Sequence, residues 1–113
     1  MYNSGTITMV PFFIAQKGKI MNLYEILAKI DKPEDLKKFF ADLCTYVEIE
    51  NLEKRAEAAQ LLLKGNTYDE TIQKTGISSA TISRISRCIR HGEGGYSEVL
   101  KKVVQENDEK KDK

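Results

Sequence analysis

The stretch Lys64–Tyr96, KGNTYDETIQKTGISSATISRISRCIRHGEGGY, decides the fold. Thr67 with Glu70 three residues on forms a capping box, two side chains that satisfy backbone donors at a helix start, so a short helix opens there with Ile72 turned inward. Gly76 permits a tight turn whose backbone can take positive φ. Ile77 is the apolar residue expected to lock the turn, and Ser78 can cap a second helix. In that helix Ile82, Ile85 and Ile89 stand at i, i+3 and i+7, one inward face. Ser79, Ala80, Thr81, Ser83, Arg84 and Arg87 are left for the outer side. Two short helices around a glycine turn make a helix-turn-helix from about Thr67 to about Arg90.

The outer side has the chemistry of a base-reading surface. Small hydroxyl residues and Ala80 allow close approach to base edges or a thymine methyl, while Arg87 and Arg90 reach phosphates or guanines. The expected DNA contacts are therefore Ser78, Ser79, Ala80, Thr81, Ser83, Arg87 and Arg90. The whole chain carries a net charge of only +1, but from Lys54 to Arg90 seven basic residues face three acids, and from Gly76 to Arg90 there is no acid. An ordinary helical hairpin with a solvated cationic face, used for dimerisation or as a protein adaptor, is the alternative. It would tolerate acids at positions such as Ser79, Ser83 or Arg87, and none is present. The GEGGY loop follows a helix, the wrong end for holding an anion, so Gly92 and Gly94–Gly95 read as a helix stop and a turn, with Tyr96 packing back.

Upstream, Leu23, Ile26, Leu27 and Ile30 recur at helical spacing. Asp31 with Glu34 is a candidate cap for the next helix, which carries an apolar stripe of Leu36, Phe39, Phe40, Leu43 and Val47. A further helix, from about Asn51 to Lys64, bears Leu52, Ala56, Ala59, Leu62 and Leu63 and is closed by Gly65. That apolar surface is generous for short helices and suits a second chain. Downstream, a helix from about Ser97 to Val104 precedes the charged run NDEKKDK, expected to fray. The chain thus reads as all-α, about six short helices: an irregular extension over 1–20, a helical domain over 21–105 and a charged tail over 106–113. Met21 is a candidate translation start.

With 113 residues, 41% apolar and 31% charged, one globular domain is expected. Met9–Ala15 is too short to span a bilayer and lacks the basic flank of a signal peptide, so a cytoplasmic protein without membrane association is expected. Cys44 and Cys88 have neither metal-ligand nor disulfide-framework spacing, and no metal is expected. His91 is the single histidine, three residues after Cys88 with no third group to orient the pair, so no enzyme is expected.

The run ATISRISRC followed by GEGGY, with DLCT and LLLKGNTY upstream, resembles the Trp-repressor superfamily and within it the YerC/YecD group of DNA-binding proteins, from about Leu36 to Leu100. The resemblance implies an intertwined, all-helical homodimer acting on double-stranded DNA, most often as a repressor. It also implies an effector site at Thr45, Arg55, Arg84 and Cys88. Where that family leaves room for an indole after its second arginine, this chain has Ile85; Cys88 replaces a serine and Asp42 an apolar wall residue. Burying a carboxylate against a ring is costly, so tryptophan is not expected as effector and no cofactor is assigned. Arg55 and Arg84 are left to bind another small anion, or to pair with Glu57 or Asp42.

Overall fold

The structure is a computed structural model that describes residues 20–112, with side chains to Asp108. The expected irregular extension lies almost wholly outside the described residues. The described chain is all-α, and its contacts divide it after Leu43 into two units, where length alone suggested one.

The first unit holds α1 (Leu23–Lys29) and α2 (Pro33–Leu43). Asn22 caps α1: its Oδ1 accepts the Glu25 N–H and the Glu25 carboxylate accepts the Asn22 N–H, both at 2.9 Å. The cap expected from Asp31 is not made. α2 starts at Pro33, and the Lys32 carbonyl accepts the N–H groups of Asp35 and Leu36. Proline suits a first helical position because its missing N–H would find no partner there. Neither helix has a buried residue: Leu36, Phe39 and Phe40 are half-buried, and Leu43 is 50% exposed.

The second unit begins at Cys44. Thr45 Oγ1 accepts the Glu48 N–H at 3.1 Å while Glu48 accepts the Thr45 N–H at 2.8 Å, a capping box that starts α3 (Tyr46–Leu63) well before the expected Asn51. Val47, expected on the preceding helix, therefore belongs to α3. The buried face of α3 also differs from expectation. Ala58 and Ala59 are fully buried with Leu62 beside them, while Leu52 and Ala56 are exposed.

Gly65, with φ 99°, ends α3, and Asn66 seals the turn by donating its backbone N–H and its amide Nδ2 to the Leu61 carbonyl, each at 3.0 Å. α4 (Tyr68–Thr75) opens on the expected Thr67–Glu70 box, with bonds of 3.1 and 2.8 Å. The Thr67 backbone and side chain donating to Glu70 hold its carboxyl below the ordinary value. Gly76 takes the left-handed conformation at φ 75°, and α5 (Ser79–His91) follows with Ser78 as its cap. Gly92 must be glycine, because a Cβ there would meet the Cys88 carbonyl.

The last helix departs from expectation. It opens at Gly95 with a π-helical turn to Leu100 and continues as α6 (Lys101–Asp112), through the charged run expected to fray. The Gly94 carbonyl accepts from Glu98 at 2.9 Å and from Val99 at 3.1 Å, the wider five-residue closure that defines such a turn. Tyr96 and Leu100 are thereby set against the core of Ala58, Ala59, Ile82 and Ile85, joined by Leu62, Ile72, Ile77 and Ile89. Two alanines on α3 let the isoleucines of α5 approach its backbone closely, so α5 is seated on α3 through its inward face alone. Among the described residues no helix is long and apolar enough to cross a membrane.

Candidate nucleic-acid interface

At about 100° per residue, the inward isoleucines leave one continuous outer arc on α5. Ser79, Ala80, Arg84, Arg87 and Arg90 on that arc are exposed and Ser83 is half-buried. Arg87 lies near its middle, with Arg84 toward one edge and Arg90 toward the other. The first turn of α5 has no acid and its last turn carries Arg90 and His91. This is the arrangement that the isoleucine spacing predicts.

Two of the expected DNA contacts are used for capping. Ser78 Oγ accepts the Thr81 N–H at 3.2 Å and donates to Thr81 Oγ1 at 3.0 Å, so both hydroxyls fix the start of α5. Their free lone pairs stay available, but their first task is to hold the turn. The base-facing candidates without such a duty are Ser79, Ala80, Ser83, Arg84 and Arg87.

Behind the arc, α4 is anchored by threonines that hydrophobic periodicity does not mark. Thr71 is fully buried and Thr75 nearly so; Thr71 Oγ1 donates to the Thr67 carbonyl at 2.8 Å and Thr75 Oγ1 to the Thr71 carbonyl at 2.7 Å. Bonding back four residues satisfies each hydroxyl inside the helix and makes it cheap to bury. Their i, i+4 spacing is the signal that sequence reading could have used.

At one edge of α5, Arg90 Nη1 donates to Ser86 Oγ at 2.9 Å. Ser86 is 8% exposed. The neighbouring Ser86 and Arg90 side chains hold the pKa of the Tyr68 phenol on α4 below the ordinary tyrosine value, with the charges of Arg90 and Arg87 adding to the effect. Sequence reading missed Tyr68 because an aromatic at a helix start carries no signal of its partners.

At the other edge lies an open cavity of about 390 Å³, lined by Asn51, Lys54 and Arg55 of α3 and by Gly76, Ile77, Ser78 and Thr81. Of the four expected effector residues it includes Arg55 alone. Thr45 is an exposed helix cap ten residues earlier on the same helix, about 15 Å along its axis, so one chain does not bring the two to one small ligand. Arg84 is exposed and Cys88 half-buried, both outside the cavity lining. Ile85 is 2% exposed and fills the core.

A sequence profile of the Trp repressor protein family matches residues 19–104, a span that includes the helix-turn-helix and the helices around it. The chain belongs to the Trp repressor family. It is similar to YerC of Bacillus subtilis, with 38% identity over 98 residues, 86% of this chain and 94% of that protein. It is also similar to a Trp operon repressor homolog of Chlamydia caviae, 35% identical over 80 residues, covering 70% and 79% of the two chains. Among solved structures, a TrpR-like protein of Eubacterium eligens superposes with a TM-score of 0.67 at 36% identity, over 72% of this chain and 84% of that one. The Trp repressor fold that the resemblance implied is thus the fold of this member.

Proposed function

We propose that this Trp repressor family member is a sequence-specific, cytoplasmic DNA-binding regulator, a repressor, acting as a homodimer with α5 in the major groove. The observation that carries this reading is the acid-free arc on α5, with three exposed arginines beside small side chains that permit contact with base edges. Exposed Tyr46, Val47, Leu52, Val99 and Val103 support pairing with a second copy, since a small unit leaving that much apolar surface open is suited to an interface. Two-fold pairing of two reading helices predicts a palindromic site with half-sites one helical turn apart. Selection from random duplex DNA at physiological salt tests this. A palindromic motif is expected to enrich, and enrichment of none favours the adaptor reading.

Tryptophan is not the effector in this reading. Ile85 occupies the core beside Arg84, where the family leaves room for an indole. Calorimetric titration with L-tryptophan is expected to give no heat of binding up to millimolar ligand; micromolar affinity would refute it. The cavity with Lys54 and Arg55 leaves room for another anionic small molecule.

A further inference from the structure

The open cavity of about 390 Å³ lies where α3 passes the turn of the helix-turn-helix. Asn51, Lys54 and Arg55 stand at i, i+3 and i+4, so they share one face of α3. Ala58, at i+7, continues that face and is fully buried in the core with Ile82. The α3 face that seats α5 therefore opens, one turn earlier, into the cavity. Across it stand Gly76, Ile77, Ser78 and Thr81. Two of these seven lining residues are cations, none is an acid, and Ile77 brings the one apolar side chain. Glu50 and Glu57, at i−4 and i+3 from Lys54, are outside the lining. A pocket for an uncharged ring is lined mainly by apolar and aromatic groups, so this lining suits a charged ligand.

The donors present narrow its chemistry. Lys54 is half-buried, a position in which an ammonium loses hydration that an anion would replace. Ser78 Oγ donates to Thr81 Oγ1 at 3.0 Å, which leaves the Thr81 hydroxyl hydrogen free to donate. An ammonium acts as a point charge and a guanidinium as a planar fork, and both are side chains of phosphate recognition. We propose that this cavity is a phosphate site, in which Lys54 and Arg55 supply the charge and Asn51 and Thr81 the neutral donors. The assignment rests on the DNA-binding and anion readings above and deepens them, because it brings α3, outside the helix-turn-helix, into the contact. Of the effector residues implied by the resemblance it uses Arg55 alone. The phosphate comes either from the DNA backbone passing the start of α5 or from a free phosphorylated molecule, two sources with one chemistry.

The test compares the full chain with Lys54→Gln/Arg55→Gln and with Lys37→Gln/Lys38→Gln, which removes the same charge from exposed positions of α2. Each is titrated calorimetrically with pyrophosphate, and by anisotropy with the selected duplex over a range of salt. The cavity variant is expected to bind pyrophosphate roughly tenfold or more weakly than the parent, the scale of a lost charge-assisted hydrogen bond, and the α2 variant equally well. With the DNA backbone as source, the cavity variant also lowers the salt slope of duplex binding by about one per protomer. With a free molecule as source, the slope stays and pyrophosphate binding alone is lost. Arg55→Gln by itself, at an exposed position, is expected to show the same pattern with a smaller loss, and it decides the matter if the double variant does not fold. A cavity variant equal to the parent in both titrations, or equal losses in the α2 variant, overturns the assignment while DNA binding stands. A parent chain that binds no selected duplex overturns the DNA reading; the site then stands if the parent binds pyrophosphate through Lys54 and Arg55, and falls if it does not.

Discussion

Arg87→Glu is expected to abolish specific DNA binding, with a loss of at least roughly 100-fold, and to leave the helical fold unchanged. Arg87 is exposed near the middle of the α5 arc. A bidentate arginine–base or arginine–phosphate contact contributes about 1–3 kcal/mol, and each half-site of a dimer would lose one. Reversing the charge adds repulsion against neighbouring phosphates, most severe at low salt. The fold has little reason to respond, since Arg87 makes no hydrogen bond among the described residues that the fold depends on and glutamate is a good helix former. Fluorescence anisotropy with the selected duplex, alongside far-ultraviolet circular dichroism, checks both halves. Retained affinity with an unaltered spectrum would place the reading face elsewhere.

The largest effect on stability is expected from Ile82→Ala. Ile82 is fully buried between α3 and α5, against Ala58 and Ala59. Truncating a buried isoleucine removes its transfer free energy and leaves a cavity that neighbours fill only in part, about 2–5 kcal/mol in total. Domains of this kind are stable by about 5–15 kcal/mol, so the change consumes a large share of the whole. The two facing alanines are too small to collapse into the hole, which favours the upper part of that range. Urea unfolding at one fixed protein concentration should show a much lower midpoint at unchanged slope, the concentration being fixed because self-association would itself stabilise the chain. A loss below about 1 kcal/mol would mean that α5 is not seated on α3 in this way.

Much of the helix-turn-helix was legible in the sequence because its signals are local. The Thr67–Glu70 box, the left-handed Gly76 and the Ile82–Ile85–Ile89 spacing each act within one helical turn or two, and each is realised. The start of α3 was equally local but lay unread: Thr45 and Glu48 repeat the same box, and an expectation built on apolar spacing alone began the helix five residues late and placed Val47 on the wrong one. The burial of Thr71 and Thr75 was hidden for another reason. Threonine counts as polar in any apolar pattern, yet in a helix it can bond its own backbone and go inside. The length of α6 follows from its anchor. Tyr96 and Leu100 fix the preceding turn against the core, and a helix once nucleated propagates into Glu- and Lys-rich sequence at little cost per residue. The approach of Tyr68 on α4 to Ser86 and Arg90 on α5 depends on how two helices meet, which no single segment specifies.

The helix starts carry one more asymmetry. α1, α3 and α4 each receive a glutamate in the first turn through a reciprocal cap, and α2 has Glu34 and Asp35 there. Such acids offset the positive end of the helix macrodipole. α5 starts on two neutral hydroxyls, with no acid in its first turn. The helix assigned to DNA thus forgoes a stabilisation that the four helices before it take, and its half-positive terminus stays uncompensated beside Ser79 and Ala80. In the proposed complex a phosphate at that terminus would supply the missing negative charge, and α5 would gain on binding the stabilisation it lacks in the free protein.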